Sequence, residues 1–246
     1  MSNHVTSVGN ALALLQILQD RKNIRVIDAA QELGVARSTA HRLLSTLKEF
    51  GFAVQDGEKS YALSPWWRGG KQSVTAETAL PMARPHLKWL MERTEETIHF
   101  MQPEGRMVQI IETIECEHGL RVGNRVGSLF PAHIVAAGRL FLGRMTIEEL
   151  KLMYPAGPPE DSGVIAMEDF YASFQSQRPY AVTYGRGERG VNAVAMLVDD
   201  PDRRGIAAVS LSGPSFRMLP QTIAQMTDLL QECVQRINAS IRQQRR

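Results

Sequence analysis

Between Arg37 and Glu49 the apolar positions Ala40, Leu43, Leu44 and Leu47 recur at i, i+3, i+4 and i+7, the spacing of a helix buried along one face. The other side carries Ser38, Thr39, His41, Arg42, Ser45, Thr46 and Lys48, with no acid before Glu49. A solvated helix face ordinarily interleaves Glu and Lys four residues apart. This one is suited to an anionic surface instead. Upstream, the pattern predicts a first helix with Ser7 as N-cap and Val8, Ala11, Leu12, Leu15 and Leu18 on its inner side. A shorter helix follows over residues 26–33 with Val26, Ala29, Ala30 and Leu33 inward, and Gly34 supplies the turn. Downstream, "FAVQ" and "SYAL" flank Asp56-Gly57, a strong hairpin signal. Helix, helix, turn, helix and hairpin make a winged helix-turn-helix over residues 1–66, whose last helix would lie in the major groove of double-stranded DNA.

In that reading Ser38, Thr39, His41 and Arg42, with Ser45 and Thr46 beside them, meet phosphates and base edges, Arg42 taking either a guanine or a phosphate, and Arg37 and Lys48 support the contacts to the phosphate backbone. Lys59 and Tyr61 of the wing reach a neighbouring backbone or minor groove.

The character changes after Trp66-Trp67, a pair suited to a packing interface, and Gly69-Gly70, which marks a domain boundary. Residues 67–82 read as a linker helix, and Pro85 suits the first turn of a helix running to about Thr94. Beyond it, over 83–246, strands and helices alternate. "TIHFMQ" and "MVQIIETI" form a hairpin, and a Gly-rich loop leads into the apolar helix "IVAAGRLFLGRM". Thr146 and Glu149 have capping-box spacing, and "MEDFYASFQSQ" is an amphipathic helix. "YAVTY", "VNAVAMLV" and "GIAAVSLS" are strands, and a helix from about Pro220 to Arg242 follows.

Composition narrows the classes. The 246 residues carry a formal net charge of +2, and residues 1–66 hold seven Lys/Arg against six Asp/Glu, so bulk charge does not point to nucleic acid. Two cysteines, Cys116 and Cys233, cannot make a disulfide framework and fit a reducing, cytoplasmic setting. No signal peptide and no apolar run near the roughly 20 residues of a membrane span are present. "CEH" at 116–118 lacks the second ligand pair of a zinc site, and no G-x-S-x-G, P-loop or H-E-x-x-H occurs. No metal, cofactor or catalytic activity is expected.

The segments "AAQELGVARSTAHRLLSTLKEFGF", "MARPHLKWLMERTEETIHF", "LRVGNRVGSLFPAHIVAAGRLFL" and "GIAAVSLSGPSFRM", in this order and spacing, resemble the IclR family of bacterial transcriptional regulators along nearly the whole chain. The resemblance implies an α+β protein: a winged helix-turn-helix, a linker helix and a C-terminal α/β effector-binding domain, similar to GAF and profilin-like modules, with a curved antiparallel sheet. It implies dimers or dimers of dimers on operator DNA, regulating catabolic genes in response to a small organic or aromatic acid. Matching positions put Ala136, Ala137, Gly138, Val191, Asn192, Ala193, Ser210 and Ser212 against the effector. Where many members carry Cys this chain has Ala193, and in the loop "YGRGERG", shorter than the acidic family version, Glu188 is the one acid.

The residues themselves agree in kind. Ala136 to Gly138 begin a helix, where free N–H groups favour a carboxylate. Ser210 and Ser212, two apart on a strand, share one face; their hydroxyls need partners, which are either neighbouring backbone or a bound acid. Phe130, Ile134, Phe100 and Met196 would supply apolar walls, and His133 would orient a carboxylate or pack against its loop. Arg186 and Arg189 favour an anionic ligand or are simply solvated. His99 alternates with Ile98 and Phe100 and faces either the pocket or solvent.

Overall fold

The structure, a computed structural model, describes residues 5–21, 23–55, 59–64, 74–176, 179–201 and 205–244. Asp56-Gly57, Trp66-Trp67 and Gly69-Gly70 lie outside the described residues. The chain divides into two compact units, residues 1–73 and 74–246.

The first unit holds α1 (Thr6–Asp20), α2 (Val26–Leu33), α3 (Arg37–Glu49) and the hairpin β1 (Ala53–Gln55) with β2 (Tyr61–Leu63). Gly34 ends α2 in the left-handed region at φ 64°, which glycine adopts without a Cβ penalty. Ala40, Leu44 and Leu47 of α3 pack with Leu14 and Leu18 of α1 and with Ala29 and Ala30 of α2. The inner face expected of α1 holds in part. Leu18 is in the core and Leu15 packs against it, whereas Val8 and Leu12 are exposed. Leu14 is the further core residue, and the N-cap is Val5 rather than Ser7.

The second unit is a three-layer α/β structure. Its sheet has the antiparallel order β5-β4-β3-β8-β7-β6, formed by β3 (Thr97–Glu104), β4 (Met107–Ile114), β5 (Leu129–Pro131), β6 (Tyr180–Tyr184), β7 (Val191–Asp199) and β8 (Gly205–Pro214). Strand alternation divides it cleanly. Ile98, Phe100, Val194, Val209 and Leu211 face α4 (Ala76–Thr94) and α8 (Pro220–Gln244). Met101, Ala181, Ala195, Leu197 and Ala208 face α5 (Ala136–Leu142), α6 (Ile147–Met153) and α7 (Met167–Gln175). Phe100 and Met196 therefore belong to the α4–α8 core rather than to a ligand wall.

Helix α4 starts nine residues before Pro85, at Ala76, and Pro81 and Pro85 both lie inside it. Its start is a capping box made by two threonines: Thr78 N donates to Thr75 Oγ1 at 3.2 Å and Thr75 N to Thr78 Oγ1 at 2.9 Å. The Thr146–Glu149 box expected at α6 is present.

Candidate functional site

In the first unit, α3 turns its small polar face outward. Arg37, Ser38, Thr39, His41, Arg42, Thr46 and Lys48 are exposed and Ser45 is half-buried. Arg37, Ser38 and His41 line an open groove together with Lys59 of the hairpin. Arg25 lines it too, a cation missed in sequence because it lies off the amphipathic helices, as the extended N-cap residue of α2. Thr39, Arg42, Ser45, Thr46 and Lys48 lie outside that groove, and Lys48 Nζ donates to Gln55 Oε1 at 3.2 Å. Tyr61 is a correction. It is 2% exposed, inside the core of the unit, with its backbone bonded to Ile24. A ring held there has no access to a duplex.

In the second unit, a cavity of about 70 Å³ lies on the α5 side of the sheet. Its floor is made by His99, Ser210, Ser212, Ala193 and Thr183, which are cross-strand neighbours in two rows, His99 beside Ser210 and Ser212 beside Ala193 beside Thr183. Ala193 leaves the room that a larger side chain would fill. His99, Thr183, Ser210 and Ser212 are all buried, and the two serine hydroxyls meet at 3.5 Å, the edge of hydrogen-bonding distance. The walls are apolar: Met101, Ile110, Phe130, Val135, Ala136, Ala137 and Val191.

His99 Nδ1 bonds Thr113 Oγ1 at 3.0 Å, and Arg125 N donates to the same hydroxyl at 3.4 Å. Burial, then the nearby Arg125 charge, lowers the His99 pKa to about 4, with Glu115 opposing. The imidazole is neutral at pH 7. Arg125 reaches the cavity on the 115–128 loop, which is tied to β4 by Gly127 N to Ile110 O at 2.8 Å and Ile110 N to Ser128 O at 3.0 Å. Its guanidinium pairs with Glu188 at 2.6 Å.

Of the positions expected at an effector, Phe130, Ala136, Ala137, Val191, Ala193, Ser210 and Ser212 come together here. Three are placed elsewhere. Gly138 packs on backbone, where an added Cβ would stand 2.3 Å from Ala132 O. Asn192 points to the opposite side from Val191 and Ala193, accepting from Gly185 N at 3.1 Å and donating to Met218 O at 3.0 Å. His133 Nε2 bonds Asp161 Oδ1 at 2.8 Å beside Phe170. Ile134 does not line the cavity. Nor do Arg186 and Arg189, whereas Gly187 and Glu188 of the same loop do.

Other chemistry is thin among the described residues. No group of three His, Cys, Asp or Glu is placed to hold a metal, and no helix is long and apolar enough to cross a membrane. Cys233 Sγ donates to His86 O at 3.4 Å, and burial pushes its pKa to about 12, so this thiol stays protonated.

Known proteins match both units. Residues 7–57 match the IclR helix-turn-helix domain, and residues 72–239 match the bacterial transcriptional regulator IclR C-terminal domain. The chain is 28% identical over 240 residues to the transcriptional repressor IclR of Escherichia coli strain K12, covering 91% of this chain and 85% of that protein. It is 24% identical over 244 residues to the HTH-type transcriptional regulator KdgR of the same strain, covering 96% and 93%. Among solved structures, an IclR transcriptional regulator from Alicyclobacillus acidocaldarius aligns with TM-score 0.59 at 21% identity, covering 97% of this chain and 99% of that one. The Thermotoga maritima IclR aligns with TM-score 0.58 at 21% identity over the same shares. With a helix-turn-helix followed by an α/β unit of matching fold, and each matched in turn, the chain belongs to the IclR family of DNA-binding transcriptional regulators.

Proposed function

We propose that this regulator binds operator DNA as a dimer or dimer of dimers, repressing or activating catabolic genes, and that a short aliphatic acid in the cavity of the second unit controls that binding. The observation that carries the reading is a small, mainly apolar cavity whose polar lining is Arg125 paired with Glu188, the neutral His99 imidazole and buried hydroxyls. Arg125 supplies charge for a carboxylate, and Ser210, Ser212, Thr183 and His99 supply hydrogen bonds for the rest of the ligand. If the Thr113 hydroxyl donates to His99 Nδ1, the ring proton sits on Nε2 and is available to an anion.

Size selects within the acid class. A cavity of about 150 Å³ is what admits benzene in a protein core, and this one holds about 70 Å³. Acids of two to four carbons fit better than aromatic acids.

On the DNA side, Ser38, Arg42 and Ser45 sit at the centre of the outward face of α3, flanked by Thr39, His41 and Thr46. Arg25, Arg37 and Lys59 surround one end. A second copy is favoured by α1. Val5, Val8 and Leu12 are 66%, 54% and 58% exposed, an apolar stripe at i, i+3 and i+7.

The test is selection from a random duplex library with the full chain, followed by fluorescence anisotropy on the enriched duplex with acetate, lactate, pyruvate, butyrate and benzoate. The expected result is an enriched, two-fold symmetric site whose affinity shifts tenfold or more with at least one short acid and not with benzoate. An enriched site indifferent to every acid would remove the effector assignment. No enrichment would remove the operator assignment.

A further inference from the structure

The loop over the cavity brings a carboxylate of its own. Residues 185–190 join β6 to β7, and both ends are fixed. Gly185 N donates to Val191 O at 2.9 Å, and Gly190 O accepts from Ser215 N at 2.8 Å. Both glycines have positive φ, 63° and 83°, so the chain bends sharply into and out of the loop. Between them Gly187 lies against the cavity wall, where an added Cβ would stand 3.0 Å from Val135 Cγ1. Glu188 follows, 2.6 Å from Arg125.

Both members of that pair line the cavity, yet the Arg125 and Glu188 side chains keep 34% and 45% of their surface in solvent. The floor is different: His99, Ser210 and Ser212 are each at most 6% exposed and uncharged. Formal charge is therefore at the mouth and neutral hydrogen bonding at the bottom. A ligand carboxylate has one fixed cation to meet here, and Glu188 already holds it. Two carboxylates on one guanidinium repel each other, and a half-exposed ion pair is weak enough to exchange.

We propose that Glu188 is a competitor built into the chain. The carboxylate of the effector takes Arg125 from Glu188, and loop 185–190 is thereby released from the mouth of the cavity. The proposal rests on the acid-effector reading above and adds its mode of recognition. It also fixes ligand charge. A monocarboxylate gains Arg125 by displacing Glu188, whereas a ligand bearing an ammonium group would keep Glu188 as a contact.

The experiment is calorimetry on the full chain with acetate, lactate and butyrate, using the wild type, Glu188→Gln and Arg125→Gln. It is paired with hydrogen exchange on the wild type with and without lactate. Removing the competitor should tighten acid binding about two- to fivefold, the range set by a solvent-exposed ion pair. Arg125→Gln should weaken it tenfold or more, and neutral lactamide should not gain from Glu188→Gln. In the wild type, lactate should slow exchange over 208–212 and speed it over 186–189. Acids that bind the wild type but bind Glu188→Gln equally or less tightly would overturn the displacement and leave the acid reading standing. If no acid binds either protein, the acid reading fails and this proposal fails with it. Should Glu188→Gln be misfolded, the exchange measurement on the wild type decides alone, with slowing over 186–189 as the overturning result.

Discussion

His99 carries a consequence that reaches beyond ligand contact. Its pKa of about 4 in the folded chain compares with an ordinary 6.5, because burial and then Arg125 disfavour the imidazolium. Between those two values the unfolded chain binds more protons than the folded one. Stability from this group is thus fully present above pH 6.5 and is lost progressively as pH falls to about 4. The window of about 2.5 units corresponds to about 3 kcal/mol. Unfolding free energies from urea titrations at pH 7 and pH 4 should diverge by about that much more for the wild type than for His99→Gln. Equal divergence in the two proteins would mean that His99 is protonated in the fold without penalty. The same residue shows where reading from sequence stops. A strand covered on one side alternates apolar and polar, but β3 is buried on both sides from Thr97 to Met101. Alternation alone could not say which side His99 took, and it set Phe100 among the ligand walls for the same reason. The serines were legible because two hydroxyls at period two stand out in an apolar strand. Arg125 was not, because its position depends on how an irregular loop is bonded along β4.

Elements tell a similar story. Helix α2 was legible to its ends, since a clear apolar face is followed by a glycine in the left-handed region. Helix α1 was legible as a helix but only partly in its orientation, Leu15 and Leu18 packing inward as expected and Val8 and Leu12 not. Apolar residues occupy two of its sides, and only Leu14 and Leu18 are fully buried in the unit. A helix patterned in this way is suited to two partners, one of them in its own fold. Leu12→Glu tests this. At 58% exposure the change should cost folding no more than about 0.5 kcal/mol, while sedimentation should show a dimer converted to monomer and operator affinity should fall. A dimer unaffected by Leu12→Glu would place the self-association surface elsewhere. The start of α4 was missed because its capping box uses threonine where Glu or Gln is usual, and because Pro85 inside the helix resembles a start signal.

At the scale of the second unit, the sheet separates two sets of side chains that alternate along the same strands. Leu211 lies between Ser210 and Ser212 in sequence, but it packs with α4 and α8 while they face the cavity. Leu211→Ala should cost about 2–5 kcal/mol in chemical denaturation and leave carboxylate preference unchanged. Ser210→Ala should stay within about 1 kcal/mol and change that preference. If both substitutions moved stability and preference together, the two faces would not be independent. Their separation bears on descent as well as on design. If the cavity takes the proposed effector, positions 193, 210 and 212 are free to change with the ligand while positions 194, 209 and 211 hold the scaffold constant, so a new signal could be acquired without re-evolving the fold that reports it.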